Sequence, residues 1–217
     1  MAPPEARERI LGRVRAALKA PAPHHVGDPV TLHASIFAPV ENPLDRFQKE
    51  CAANITEWVL TKNLRTSSAA VAEILAALPE GEIFAQDSPA LRAILSLCQS
   101  RMIRWSSEAA PREASQVTIT QCEALVALTG SVLVSSACGG RGASVVAPVH
   151  IVVAGVNQIV PDLDAAFALI RERNIAMQNS YVCLITGSSR TADIEKILVM
   201  GAHGPQRLIV VLAQRLE

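Results

Sequence analysis

Residues 181–201 read YVCLITGSSRTADIEKILVMG, and the reading of this stretch sets the fold class. An apolar run, Tyr181–Ile185, leads directly into Thr186-Gly187-Ser188-Ser189-Arg190-Thr191, and the spacing behind it predicts a helix over 192–200. Strand, polar loop and helix is the unit from which parallel α/β sheets are built, and ligands in such sheets bind outside the carboxyl ends of the strands. Gly187 permits a tight turn. Ser188, Ser189 and Thr191 supply hydroxyls, the expected helix start supplies free N–H groups, and Arg190 supplies a planar fork for carboxylate or phosphate. With Asp193 behind them, these residues form a candidate binding loop for a small anion. A purely structural role fits them equally: Thr191 caps the helix, Asp193 and Glu195 complement its dipole, and Arg190 bridges to Asp193. The loop has neither the glycine spacing and lysine of a Walker A motif nor the GxGxxG pattern.

Downstream, Gly201-Ala202-His203-Gly204-Pro205 precedes an apolar run, 208–212. A nine-residue helix is about 13 Å long, which puts this turn at the opposite edge from Arg190. Gly201 reads as the helix C-cap, and His203 as structural or part of a separate surface. Upstream, Ser131–Ser135 reads as a buried strand followed by a glycine-rich loop, Ala137-Cys138-Gly139-Gly140-Arg141-Gly142. If that strand runs parallel to 181–185, Arg141 and Arg190 flank one crevice; a hairpin of 131–135 with 151–154 removes the crevice. Cys138 is a thiol among glycines, without a nearby histidine in sequence to activate it. His150 stands before the strand Ile151–Ala154, as a buried histidine or a further candidate. Gln121–Leu128 reads as a short helix ended near Thr129-Gly130, with Glu123 as a candidate carboxylate base. No second acid stands at catalytic spacing, and no Ser/His/Asp order stands out.

The rest of the chain extends the alternation. Helices are expected over 43–54, 67–78 (capped by Ser67 or Ser68), 88–97 (capped by Ser88, with Pro89 first) and 161–173. Strands are expected over 55–60, 82–85, 102–105 and 117–120. Ahead of them lies PEARERILGRVRAALK, residues 4–19, an amphipathic helix with Ile10, Val14 and Leu18 on one stripe. Residues 20–43 hold five prolines and His24, His25 and His33, and read as a linker. The expected organisation is an arm over 1–42 and an α/β domain over 43–217.

Half of the 217 residues are apolar, enough for a sizeable core. Twenty basic and twenty acidic side chains, with 3% aromatics, argue against a nucleic-acid binder. No apolar stretch approaches the roughly 18 residues of a membrane span. Cysteines at 51, 98, 122, 138 and 183 form neither a disulfide framework nor a CxxC metal motif. A cytoplasmic location and no metal in this chain are the expectations.

The pair TGSSRTADIE (186–195) and GAHGP (201–205) resembles the carboxyl-terminal signature of the lactate-utilisation protein C family, the LUD domain family. Leu128-Thr129-Gly130-Ser131, Arg141, Pro148 with His150-Ile151, Ile159-Val160 opening a helix, ILGRVRAAL and PLDRFQKE agree, so the resemblance spans nearly the whole chain. It implies a three-layer α/β/α sandwich with a mainly parallel sheet, similar to sugar-phosphate isomerases and coenzyme A transferases. It implies an accessory subunit in oxidation of L-lactate to pyruvate, with iron–sulfur clusters on partner proteins. The alternative is a stand-alone isomerase- or transferase-like enzyme acting on a sugar phosphate or acyl thioester, with Glu123 or Asp193 as base or nucleophile. Two positions depart from the family pattern: Leu128 where an acidic residue is common, and Ser188 where a proline is common.

Overall fold

The computed structural model describes residues 4–19, 37–96, 98, 101–108, 115–192, 198–200 and 204–216, with the backbone alone at 4, 5, 18, 190–192 and 198–200. The chain divides into two compact units, Met1–Ile36 and Phe37–Glu217. The first holds α1 (Pro4–Lys19), the helix expected there. Most of the expected linker, with His24, His25 and His33, lies outside the described residues.

In the second unit the elements follow in the order α2 (Pro43–Ala53), β1 (Glu57–Thr61), α3 (Leu64–Ala76), β2 (Ile83–Ala85), α4 (Pro89–Leu95), β3 (Ile103–Trp105), β4 (Val117–Thr120), β5 (Ala124–Val126), β6 (Ser131–Ser135) and β7 (Val149–Gly155). After a 3-10 turn come β8 (Ile159–Val160), α5 (Leu163–Glu172), α6 (Ile175–Gln178), β9 (Val182–Thr186), β10 (Arg190–Ala192), β11 (Leu198–Met200) and β12 (Arg207–Ala213). Six strands form one sheet in the order β1-β12-β7-β4-β2-β3, every neighbour parallel. This is the mainly parallel sheet flanked by helices that an α/β fold requires.

Strand parity assigns the two cores, because successive side chains leave opposite faces. Val117, Ile119, Ile151, Val153, Ile209 and Val211 pack with Val71 and Leu75 of α3 and Leu91 and Ile94 of α4. Val152, Ala154, Leu208, Val210 and Leu212 pack with Phe47 and Cys51 of α2. That second core also takes Leu125, Val132 and Val134 from a smaller sheet, ordered β8-β5-β6-β9. Both faces of the central strands are thus apolar, which is why Val149–Gly155 is buried at every position.

Several local expectations hold: a helix begins at Pro43, and Ser88 caps α4, with Pro89 first. The cap of α2, not named from the sequence, is Asn42. Others are corrected. Residues 121–128 form no helix: Ala124–Val126 is a fully buried strand, antiparallel to β6 and parallel to β8. A short apolar run carries no period that separates strand from buried helix, and pairing on both edges decides it. Asn63 caps α3 in place of Ser67 or Ser68, through a reciprocal box with Thr66. Ser67 instead bonds Thr61 across 2.7 Å, and Ser68 donates to the Ile94 carbonyl, both inside the core. Asp162 caps α5, leaving Pro161 outside it, and Ile159-Val160 opens no helix but pairs with β5. The helix expected over 192–200 is replaced by the antiparallel strands β10 and β11, with Thr191 opposite Val199; residues 193–197 lie outside the described set.

Candidate functional site

β9 carries the Thr186–Ser189 loop, and it belongs to the smaller sheet. It runs antiparallel to β6, with Ser131 opposite Thr186 and Ser135 opposite Val182. The crevice expected at the carboxyl edge of a parallel sheet therefore does not form around this loop. The Ser189 N–H instead donates to the Pro205 carbonyl at 2.8 Å, and the Gly204 N–H to the Val145 carbonyl at 3.1 Å. Since Pro205 precedes β12 and Val145 precedes β7, the loop sits at the amino edge of the parallel sheet. The same contacts bring Gly204-Pro205 beside the loop, correcting the separation that a nine-residue helix would have imposed.

Backbone geometry explains why glycine stands at 187. Its φ is +74°, and a Cβ there would collide with the Asn54 carbonyl oxygen. Gly130, φ +63°, approaches Glu50 and Cys51 in the same way. The two turns are joined by hydroxyls. Thr129 and Ser131 share a 2.7 Å hydrogen bond, and Ser131 and Thr186 another of 2.7 Å. The Asn54 side-chain amide donates to the Thr129 carbonyl at 2.8 Å. Thr129, a candidate named from the sequence, thus reaches the loop through this chain of hydroxyls.

A cavity of about 420 Å³ opens here, lined by Thr186, Gly187, Ser188 and Ser189 and by the strand leading to them. Its size is that of ordinary small-molecule sites, about 300–1,000 Å³. Sequence reading missed four polar groups on its wall: Asn54, Ser144, Tyr181 and Cys183. Tyr181 and Cys183 stand two apart on one strand, so they share a face, and that spacing was the available signal. The Tyr181 hydroxyl lies beside the Cys183 thiol and Ser144. Partial burial and the neighbouring Cys183 raise its pKa above the usual phenol value, against the effect of Ser144.

The other candidates lie elsewhere. Arg141 is exposed, and its Nε donates to Ser180 Oγ at 3.0 Å, just before β9 begins. Antiparallel pairing sends the loops after β6 and β9 out at opposite ends, separated by a five-residue strand of about 17 Å. Arg141 and Arg190 therefore do not meet at one parallel-strand edge. Arg190 and Thr191 are placed in β10 by their backbone alone, and Asp193 and His203 lie outside the described residues. The Glu123 carboxylate accepts from Ser135 Oγ and from the Cys138 thiol, at the far end of β6 from the Thr186 loop. Cys138 is buried despite its glycine neighbours, and burial raises its pKa. Burial also pushes Cys51 up to about 12 and raises Cys122 and Cys98, so these four thiols act as apolar packing groups. His150 is 1% exposed and bonds Thr120 Oγ1 through Nε2 at 2.9 Å, while Nδ1 has no partner among the described residues. Burial lowers its pKa to about 4, so the ring is neutral at pH 7. Among the described residues no three His, Cys, Asp or Glu side chains gather as a metal site.

A family model described as the LUD domain matches residues 44–213. The chain belongs to the LUD domain family. Its relatives include "Lactate utilization protein C" of Bacillus subtilis (strain 168), 37% identical over 103 residues, which are 46% of this chain and 43% of that protein. "Lactate utilization protein C" of Geobacillus kaustophilus (strain HTA426) is 25% identical over 187 residues, 78% of this chain and 77% of that one. The alignment to the Bacillus subtilis relative thus spans less than half of its length. The LUD fold is seen also in a crystal structure of a DUF162 family protein from Deinococcus radiodurans, with a TM-score of 0.61 at 18% identity, covering 79% of this chain and 96% of that one. No helix among the described residues of this LUD domain is long and apolar enough to cross a membrane.

Proposed function

We propose that this chain serves the oxidation of L-lactate to pyruvate as an accessory subunit, and that the cavity at Thr186–Ser189 holds a small carboxylate. Membership of the LUD family, with relatives named for lactate utilization, supports the pathway. The observation that carries the ligand reading is the lining of the cavity: three hydroxyl side chains, Thr186, Ser188 and Ser189, around a turn that only glycine can make. Hydroxyls donate to carboxylate oxygens, and the Thr129–Ser131–Thr186 chain polarises the donor at its end. Four of the five thiols are packed in apolar cores, so the electron-carrying iron–sulfur clusters belong in this reading to partner proteins. Glu123 is not among the residues that line this cavity, which disfavours a stand-alone enzyme built on it.

The test has two arms. A strain lacking the chain should fail to grow on L-lactate alone while growing normally on glucose, and the restored gene should rescue it. The purified chain should melt higher with L-lactate or pyruvate than with phosphate or coenzyme A, since a ligand at a hundred times its Kd adds about 2.7 kcal/mol. Unimpaired growth of the deletion strain on lactate refutes the pathway role, and unchanged melting with every carboxylate refutes the ligand.

A further inference from the structure

β7 and β12 are parallel neighbours in the central sheet, and the chain leaves their carboxyl ends toward opposite faces. After β7, Val156 packs with the second core; after β12, Leu216 packs with the first. Strands whose successors part in this way leave a crevice between them, and in open α/β sheets that crevice is where ligands bind. A cavity of about 470 Å³ lies there, lined by Gln121 after β4, Asn157 and Gln158 after β7, and Gln214, Arg215 and Leu216 after β12. It stands at the carboxyl edge of the sheet, and the Thr186–Ser189 loop at the amino edge. The two cavities share no residue.

The walls of this cavity are tied in place. Gln158 Oε1 accepts from the Gly155 N–H at 2.9 Å, and its Nε2 donates to the Cys122 carbonyl at 2.8 Å, which joins the turn after β7 to the segment after β4. The Gln214 and Arg215 N–H groups donate to the Thr61 and Lys62 carbonyls at 2.9 and 3.2 Å, which joins the tail of β12 to the end of β1. Gly155 has an ordinary φ of −89°, so space explains the glycine: a Cβ would collide with Asn157 Oδ1. In this frame the side-chain amides of Gln121, Asn157 and Gln214 have no hydrogen-bond partner among the described residues. No acid is among the lining residues. Arg215, and Lys62 and Arg65 just after β1, are exposed and make no ion pair among the described residues. Positive charge is thus concentrated at this edge of a chain with no net charge. We propose that the cavity binds a small phosphate ester, its phosphate on Arg215 and its uncharged, hydrogen-bonding body among the three amides. A guanidinium fork matches phosphate oxygens in pairs, and the clustered cations favour a dianion over a single carboxylate. Primary amides offer donor and acceptor side by side, so they suit hydroxyls or the edge of a base and add nothing for a bare ion. This inference goes beyond the lactate reading and does not rest on it.

Titration of the full chain with AMP and with glycerol phosphate tests it, with adenosine, glycerol and inorganic phosphate as controls. At least one ester should bind about tenfold tighter than inorganic phosphate and than its own phosphate-free body. It should shift the side-chain amide NMR signals of Gln121, Asn157 and Gln214 and leave the Ser188 and Ser189 backbone amides unmoved. The tighter ester tells whether a base or hydroxyls fill the cavity. Arg215 is exposed and outside both cores, so Arg215→Ala leaves the fold intact. It should weaken the ester about tenfold without altering the melting response to L-lactate, which reads the other cavity separately. The proposal is overturned if neither ester saturates at millimolar concentration, if inorganic phosphate binds as tightly, or if Arg215→Ala binds like the parent. Shifts confined to Thr186–Ser189 also overturn it and assign the ester to that loop. Tighter binding of L-lactate with the same three amide shifts overturns it as well and makes this a carboxylate site.

Discussion

At the scale of single residues, Gly187 was legible and its neighbours were not. The sequence places it in a tight turn, and the structure adds the reason no other residue serves: positive φ and the Asn54 carbonyl against the missing Cβ. Gly187→Ala should destabilise the chain by about 2 kcal/mol or more, read as a lowered urea midpoint. A midpoint within error of the parent would mean that the turn relaxes freely. Arg141 shows the opposite case. Its chemistry is obvious from sequence, but its place depends on the direction of β6 relative to β9, which no local pattern encodes. Tyr181 and Ser144 are hidden for a related reason, since their meeting is a long-range contact between a strand and a loop 37 positions apart in the chain.

Among the elements, the reading succeeded where ends are marked by specific chemistry. Ser88-Pro89 announces a helix start because a side-chain acceptor and a residue without an N–H suit those positions. It failed at 121–128 and 192–200, short apolar segments for which helix nucleation is costly and strand pairing competes. Misplacing the start of α3 at Ser67 overlooked the Asn63–Thr66 box. Asn63→Ala should cost about 1 kcal/mol, measured by equilibrium denaturation; no loss would show that Thr66, whose hydroxyl accepts from both the Lys62 and Asn63 N–H groups, holds the end alone.

For the molecule as a whole, His150 couples stability to pH. It sits between the central sheet and the second core, neutral, with a pKa lowered from 6.5 to about 4. The unfolded chain therefore binds more protons between those values, and stability rises with pH across that window. Acidification from pH 6.5 to 4 should remove up to about 3 kcal/mol through this ring. His150→Gln should flatten that slope in melts taken across the range, and an unchanged slope would sink the assignment. The sequence by itself determined the alternation of strands and helices, the parallel central sheet and the turn at Gly187, because period, caps and backbone freedom are local properties. Only the tertiary structure decided that β9 leaves that sheet for a smaller one, runs antiparallel there and carries its loop to the amino edge. Strand direction and sheet membership are settled by which distant apolar faces are buried together, and residues far apart in the chain hold that information jointly.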